Sequence, residues 1–271
     1  MKYNIESSLK RFLKRKVKIT MGFVVAFLIT GTVGFAEEAI QINDGSKKEY
    51  KDLIVTETEF MKPGGGTKSG ILINNNSEGT FNGEKLEVKI SNQDVKTQTA
   101  GVAINGGGVG IFNAKDTLID VSSIGGSGKW GFGLIIENNG KAEFNGENVT
   151  INNYQKDYTS QTLTVNNSQL AFNNKGDVNI SAKSEFGVTG ISSYGNLTFN
   201  NAGNVNIYGE ILPGDKTGQT NVVGIQSTGE GVTTTVTNNV ENFNIVLKGA
   251  GVDNDGTSYS TGTKAITMSN G

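Results

Sequence analysis

The chain of 271 residues has no cysteine and no histidine, only two prolines (Pro63, Pro213), and no arginine after Arg15. Without cysteine no disulfide can staple the fold, and no thiolate is offered to a metal or a substrate. Without histidine the usual proton shuttle near neutral pH and the commonest metal ligand are missing. Beyond residue 36 no guanidinium remains to fork onto a phosphate or carboxylate. With so little proline, turns must come from the 38 glycines and from asparagine, which tolerate positive φ. These absences argue for a protein that is not an enzyme and that needs no cofactor.

Charge is split along the chain. Residues 1–36 carry seven bases and one acid, leaving 17 bases and 25 acids, about −8, for the remainder. An acidic body with scattered lysines lacks the basic stripe that nucleic acid requires, so no nucleic-acid partner is expected.

What is present is a repeat. Phe-Asn recurs at Phe81-Asn82, Phe112-Asn113, Phe144-Asn145, Phe172-Asn173 and Phe199-Asn200, at intervals of 31, 32, 28 and 27 residues. Ile73, Ile104, Ile136 and Ile191 each lie eight residues before a Phe, and Gly70, Gly101 and Gly133 lie eleven before. The Phe172 copy is degenerate, with Thr164-Val165 in place of the Ile. After each Phe-Asn follows a polar turn and a second alternating run, such as Leu86-Val88-Ile90 or Val205-Ile207. Period two means strand, and self-similarity near thirty residues means a stacked array. The units are too short for four-stranded propeller blades. The expected fold is therefore all-β, a right-handed parallel β-helix (solenoid) of about six or seven coils behind an N-terminal helical signal segment. A Phe stack should fill its inside, with an Asn ladder at the corner that follows. Residues 37–69 are expected as an N-terminal cap and connection, and 70–271 as the array. Val222-Val223-Gly224-Ile225 and Ala265-Ile266-Thr267-Met268 should begin later units, with Val236 standing where Phe stood. The array stops mid-repeat, which predicts a C-terminal truncation of a longer parent.

Few residues invite a functional role. Asp253-Asn254-Asp255-Gly256 resembles half a calcium loop, but Lys264 stands where the closing Glu belongs, and the motif reads better as a turn. No metal site is expected. Gly106-Gly107-Gly108-Val109-Gly110 is followed by neither Lys-Ser nor a helix, so it is no phosphate loop. Trp130, flanked by glycines, is expected to fold back over the coil. Tyr154, Tyr158, Tyr194 and Tyr208 are candidates for a sugar- or protein-binding face. Asn148, Asn179 and Asn196 match the glycosylation pattern, as chance allows in so Asn-rich a chain.

The leader carries a resemblance. A basic stretch over 2–18, an apolar run over 21–35 and small residues before Glu37-Glu38 read as a secretory signal cleaved between Ala36 and Glu37. Ile5-Glu6-Ser7-Ser8-Leu9-Lys10, with the basic block behind it, resembles the extended leader of type V secretion autotransporters of the fusobacterial type. The resemblance implies a surface-displayed or secreted passenger domain, adhesin-like and associated with virulence. Its implied partners are host cell or bacterial surface molecules, protein or glycan, and the outer-membrane β-barrel of a longer parent chain. Other readings are a periplasmic or released β-helical binding protein, and a carbohydrate-active or toxin passenger.

Overall fold

The computed structural model describes residues 36–58, 60–61, 66–92, 97–124, 130–213, 221–249 and 262–269, all within one unit spanning 34–271. Every regular element among them is a strand. The expected helical signal segment lies outside the described residues, as do Asp253–Gly256.

The strands form three stacks, each built by parallel pairing of one coil on the next. The first stack holds Ile40–Ile42, Thr67–Ile73, Gln98–Ile104, Gly131–Glu137, 160–166, 188–194, Asn221–Thr228 and Gly262–Ser269. The second holds 47–51, 78–82, Val109–Phe112, Lys141–Phe144, 169–172, 196–199 and Thr234–Val236. The third runs from Ala36–Glu37 through 53–55, 85–92, Asp116–Ser123, Asn148–Gln155, Val178–Ser184 and Val205–Ile211 to Phe243–Lys248. A first corner joins stacks one and two, a second joins two and three, and a third closes the coil. This is the expected all-β parallel solenoid. Five full coils run from Thr67 to Ile211, where six or seven were expected; 40–55 and 221–248 add a further turn on each side. Among the described strands only Phe60–Met61 pairs antiparallel, against Lys68 and Ser69.

Alternation decides what each coil buries. In the second stack Phe81, Phe112, Phe144, Phe172 and Phe199 point inward, each at most 1% exposed. Their rings lie 4.5–5.2 Å apart and within 16° of parallel. The spacing follows from the roughly 4.8 Å between paired strands, and each buried Phe contributes about 1.5–3 kcal/mol by leaving water. Ile and Val rows from the other two stacks complete one continuous core. At the second corner the expected Asn ladder is present, each amide donating to the copy before it: Asn113 to Asn82 at 3.0 Å, Asn145 to Asn113 at 3.0 Å and Asn173 to Asn145 at 3.3 Å. A second ladder runs beside it through Asp116, Asn148, Asp177, Asn204 and Asn242. An amide can donate upward and accept from below, so each coil closes the hydrogen bonds of the last.

Three readings are refined by the observed register. Residues 40–55, read as part of a cap, pair in register as a further coil, with Tyr50 stacked on Phe81 at 5.4 Å. Tyrosine in the phenylalanine place hid the repeat. Ile191 does not stack on Ile136 but on Leu163, two residues earlier in register, and Ser193 takes the inner place. The reason is a shrinking first corner: the paired residues Ile73, Ile104, Ile136, Val165 and Ser193 precede their Phe by 8, 8, 8, 7 and 6. The glycine row at the bend of the first stack is likewise longer than the eleven-residue rule found. It continues at Gly190 and Gly224, with Thr162 replacing glycine between Gly133 and Gly190, and all lie where the paired register skips a residue. Val236 does pair with Phe199, and Ile266 with Ile225, as expected.

The shrinking corner exposes a volume rule. Facing the row Ile73, Ile104, Ile136, Val165, Ser193 across the first corner is the row Gly79, Gly110, Ala142, Leu170, Leu197. As one side chain becomes smaller, the other becomes larger. A Cβ on Gly79 would come within 3.0 Å of Ile73 Cδ1, and one on Gly110 within 2.7 Å of Ile104 Cδ1. Cores packed at crystal-like density require such compensation. Gly110→Ala is therefore expected to cost about 1–3 kcal/mol and Ile104→Val about 0.5–1.5 kcal/mol. The double variant should cost less than the sum by about 1 kcal/mol, measured as a urea-unfolding double-mutant cycle; simple additivity would contradict the pairing.

Candidate functional site

With the inside filled, functional chemistry is confined to the outer faces and corners. Among the described residues no group of three acidic side chains is placed to hold a metal ion. The glycine run at 106–110 forms the first corner of one coil. Gly106 and Gly107 take φ of 55° and 74°, matching Asn138 and Asn139 at 53° and 65° one coil later. Its role is backbone geometry, since asparagine and glycine are the residues that accept this conformation.

Trp130 folds back, as expected. It stacks on Phe132 at 6.3 Å over the outer side of the first stack, where Leu72, Ala100, Ala103 and Ile135 are also buried. Tyr158 and Phe186 follow at the third corner, spaced 6.2 and 5.9 Å along an aromatic row. Of the four tyrosines singled out, Tyr158 is thus packed, and the other three divide between two surfaces. Among the glycosylation matches, Asn148 donates to Asp116, Asn179 accepts from Asn206 at 3.0 Å and Asn196 accepts from Thr233 at 3.1 Å. They serve ladders and turns. Ala36 and Glu37 lie in the first strand of the third stack, beside Ile54 and Val55.

The first surface is the outer face of the third stack. Tyr208 lies beneath two ammonium groups, Lys183 at 5.5 Å and Lys248 at 5.2 Å from the ring centre. Glu210 joins both, at 3.5 and 3.7 Å. The Tyr208 hydroxyl bonded to its carboxylate holds Glu210 below the ordinary glutamate range; slight burial opposes this, and Lys248 and Lys183 reinforce it. Tyr154, two coils earlier, has its phenol raised by burial and by the nearby charges of Glu185 and Asp157. Here both ammonium groups already share the Glu210 carboxylate and the Tyr208 ring, so the face is a self-contained network.

The second surface is a groove of about 410 Å³ along the first corner. Three coils supply its floor through Asn139–Lys141, Asn167–Gln169 and Tyr194–Asn196, and Glu230–Val232 close one end. Its corner amides pair with the next coil: Asn138 N–H donates to Asn166 O at 3.2 Å, and Asn139 N–H to Asn167 O at 2.8 Å. Gly195 lets the chain cut the corner, since a Cβ there would meet Ser168 O at 2.5 Å. Tyr194 stands 43% exposed on this floor. Sequence reasoning named Tyr194 but missed the rest, because the lining comes from five coils and no linear motif joins them.

Compared with protein-family models, with curated proteins and with solved structures, the chain matches none.

Tyr208→Phe is expected to raise the Glu210 pKa toward the ordinary glutamate value, followed by NMR titration of its carboxyl. Because the folded value is depressed, Glu210 contributes stability above the unfolded pKa and loses it as pH falls through the folded one. An unchanged titration would show that the lysines alone set it.

Proposed function

We propose that this chain is a non-enzymatic passenger of a type V autotransporter, exported by its leader and displayed at the cell surface as an adhesin-like β-helical stalk. One observation carries the reading. Stacked Phe rings fill the inside of the coil, while Asn, Tyr, Lys and Glu recur on the outside at the strand spacing. Such a rod has no interior left for a substrate and a long surface for contacts. A coil-by-coil fold also suits export, because each coil needs only its neighbour and can form as the chain emerges. The leader supports the same reading, with a basic stretch, an apolar run and Gly34-Phe35-Ala36 before Glu37.

The test is an immunoblot of intact source cells with and without external protease, using serum against residues 70–271. A displayed passenger is expected as a protease-sensitive band well above 28.7 kDa, with an N-terminal peptide beginning at Glu37 by mass spectrometry. A protease-protected band just below that mass would instead support a periplasmic binding protein and overturn surface display.

A further inference from the structure

We propose that the groove along the first corner is a binding site for a neutral glycan; this names the contact chemistry of the surface reading and rests on that reading only for its biological setting. The groove spans three successive coils, so it is elongated along the stacking direction and suits a chain-like ligand. Its lining is selective. Asn139, Asn167 and Gln169 project amides that make no hydrogen bond to another described residue, although amides throughout the neighbouring corners are tied into ladders. Each amide offers both a donor and an acceptor, the pairing that a sugar hydroxyl satisfies from both sides. Tyr194 adds an exposed ring in the same floor, an apolar platform with a polar edge for the C–H face of a pyranose.

Charge and backbone exclude the neighbouring chemistries. Among the described lining residues Lys141 is the only cation and bonds Glu143 at 2.6 Å, and the remaining charge is the acid Glu230. An anionic ligand would therefore meet repulsion rather than a counter-ion. An extended peptide binds a β-fold through an unpaired strand edge, whereas the floor amides of Asn139, Lys141 and Gln169 already pair from coil to coil. An apolar ligand would bury the three free amides at a cost no contact restores.

The experiment is a glycan array probed with the labelled full chain, carrying neutral, sialylated and sulfated glycans beside a peptide panel, followed by calorimetry on the best neutral glycan. Binding to neutral glycans is expected, weakened about tenfold or more by Tyr194→Ala and largely kept by Tyr194→Phe. Asn167→Ala with Gln169→Ala should weaken it similarly, while Tyr208→Ala, on the other face, should leave it unchanged. Circular dichroism confirms that each variant folds. No neutral-glycan binding, preference for acidic glycans or peptides, or indifference to Tyr194→Ala would overturn the proposal. Failure here is distinct from failure of surface display: a displayed chain that binds no glycan removes only the ligand, and a glycan-binding chain found inside the cell removes only the display.

Discussion

Everything in this molecule depends on one coil lying in register on the next. No disulfide is available, and the described residues offer no metal cluster to substitute for one. A single coil buries too little to stand alone, so stability comes from the interface between coils. That interface is written into two side chains in succession. The phenylalanine meets its own copy above and below at strand spacing, and the asparagine beside it passes a hydrogen bond to the previous copy. Because the pair turns a corner, its register fixes both the second stack and the start of the third. A one-residue slip would turn every ring to solvent, which is why the pattern is held so closely.

The rest of each coil is free to vary only in compensated ways. The first corner loses residues toward the C-terminal coils, and the side chains facing each other across it exchange volume as it does. Isoleucine opposite glycine gives way to valine opposite leucine, then to serine opposite leucine. The same interior is filled by different sequences, which is why these repeats look degenerate on paper and continuous in space. The shorter corner also lets Tyr194 and the unpaired amides of neighbouring coils share one groove. A change made for packing thus shapes the candidate binding surface.

Much of the architecture was legible in the residues. Phe81, Phe112, Phe144, Phe172 and Phe199 mark the second stack, and their asparagines the ladder, because identical side chains at one period must stack. Val236 was recognisable as a Phe substitute from the strand patterns around it. Tyr50 was not, since nothing before it repeated. Ile191 misled for a physical reason: counting back from Phe assumes a corner of constant length, and the corner is where this chain shortens. The groove was out of reach altogether. Its lining is brought together by stacking from separate coils, so only the three-dimensional register unites Asn139, Asn167 and Tyr194 with Glu230.

The central claim, a stack advancing by one strand spacing per coil, is open to direct distance measurement. The chain's lack of cysteine lets spin labels be placed at will. Thr80 shares an outward row of the second stack with Ile111, Glu143, Ala171, Thr198 and Thr235. Electron–electron double resonance between Thr80→Cys and cysteines replacing Ala171, Thr198 or Thr235 should give separations near 14, 19 and 24 Å, rising by about 4.8 Å per coil. Distances that fail to rise steadily along this series would contradict the stacked-coil account.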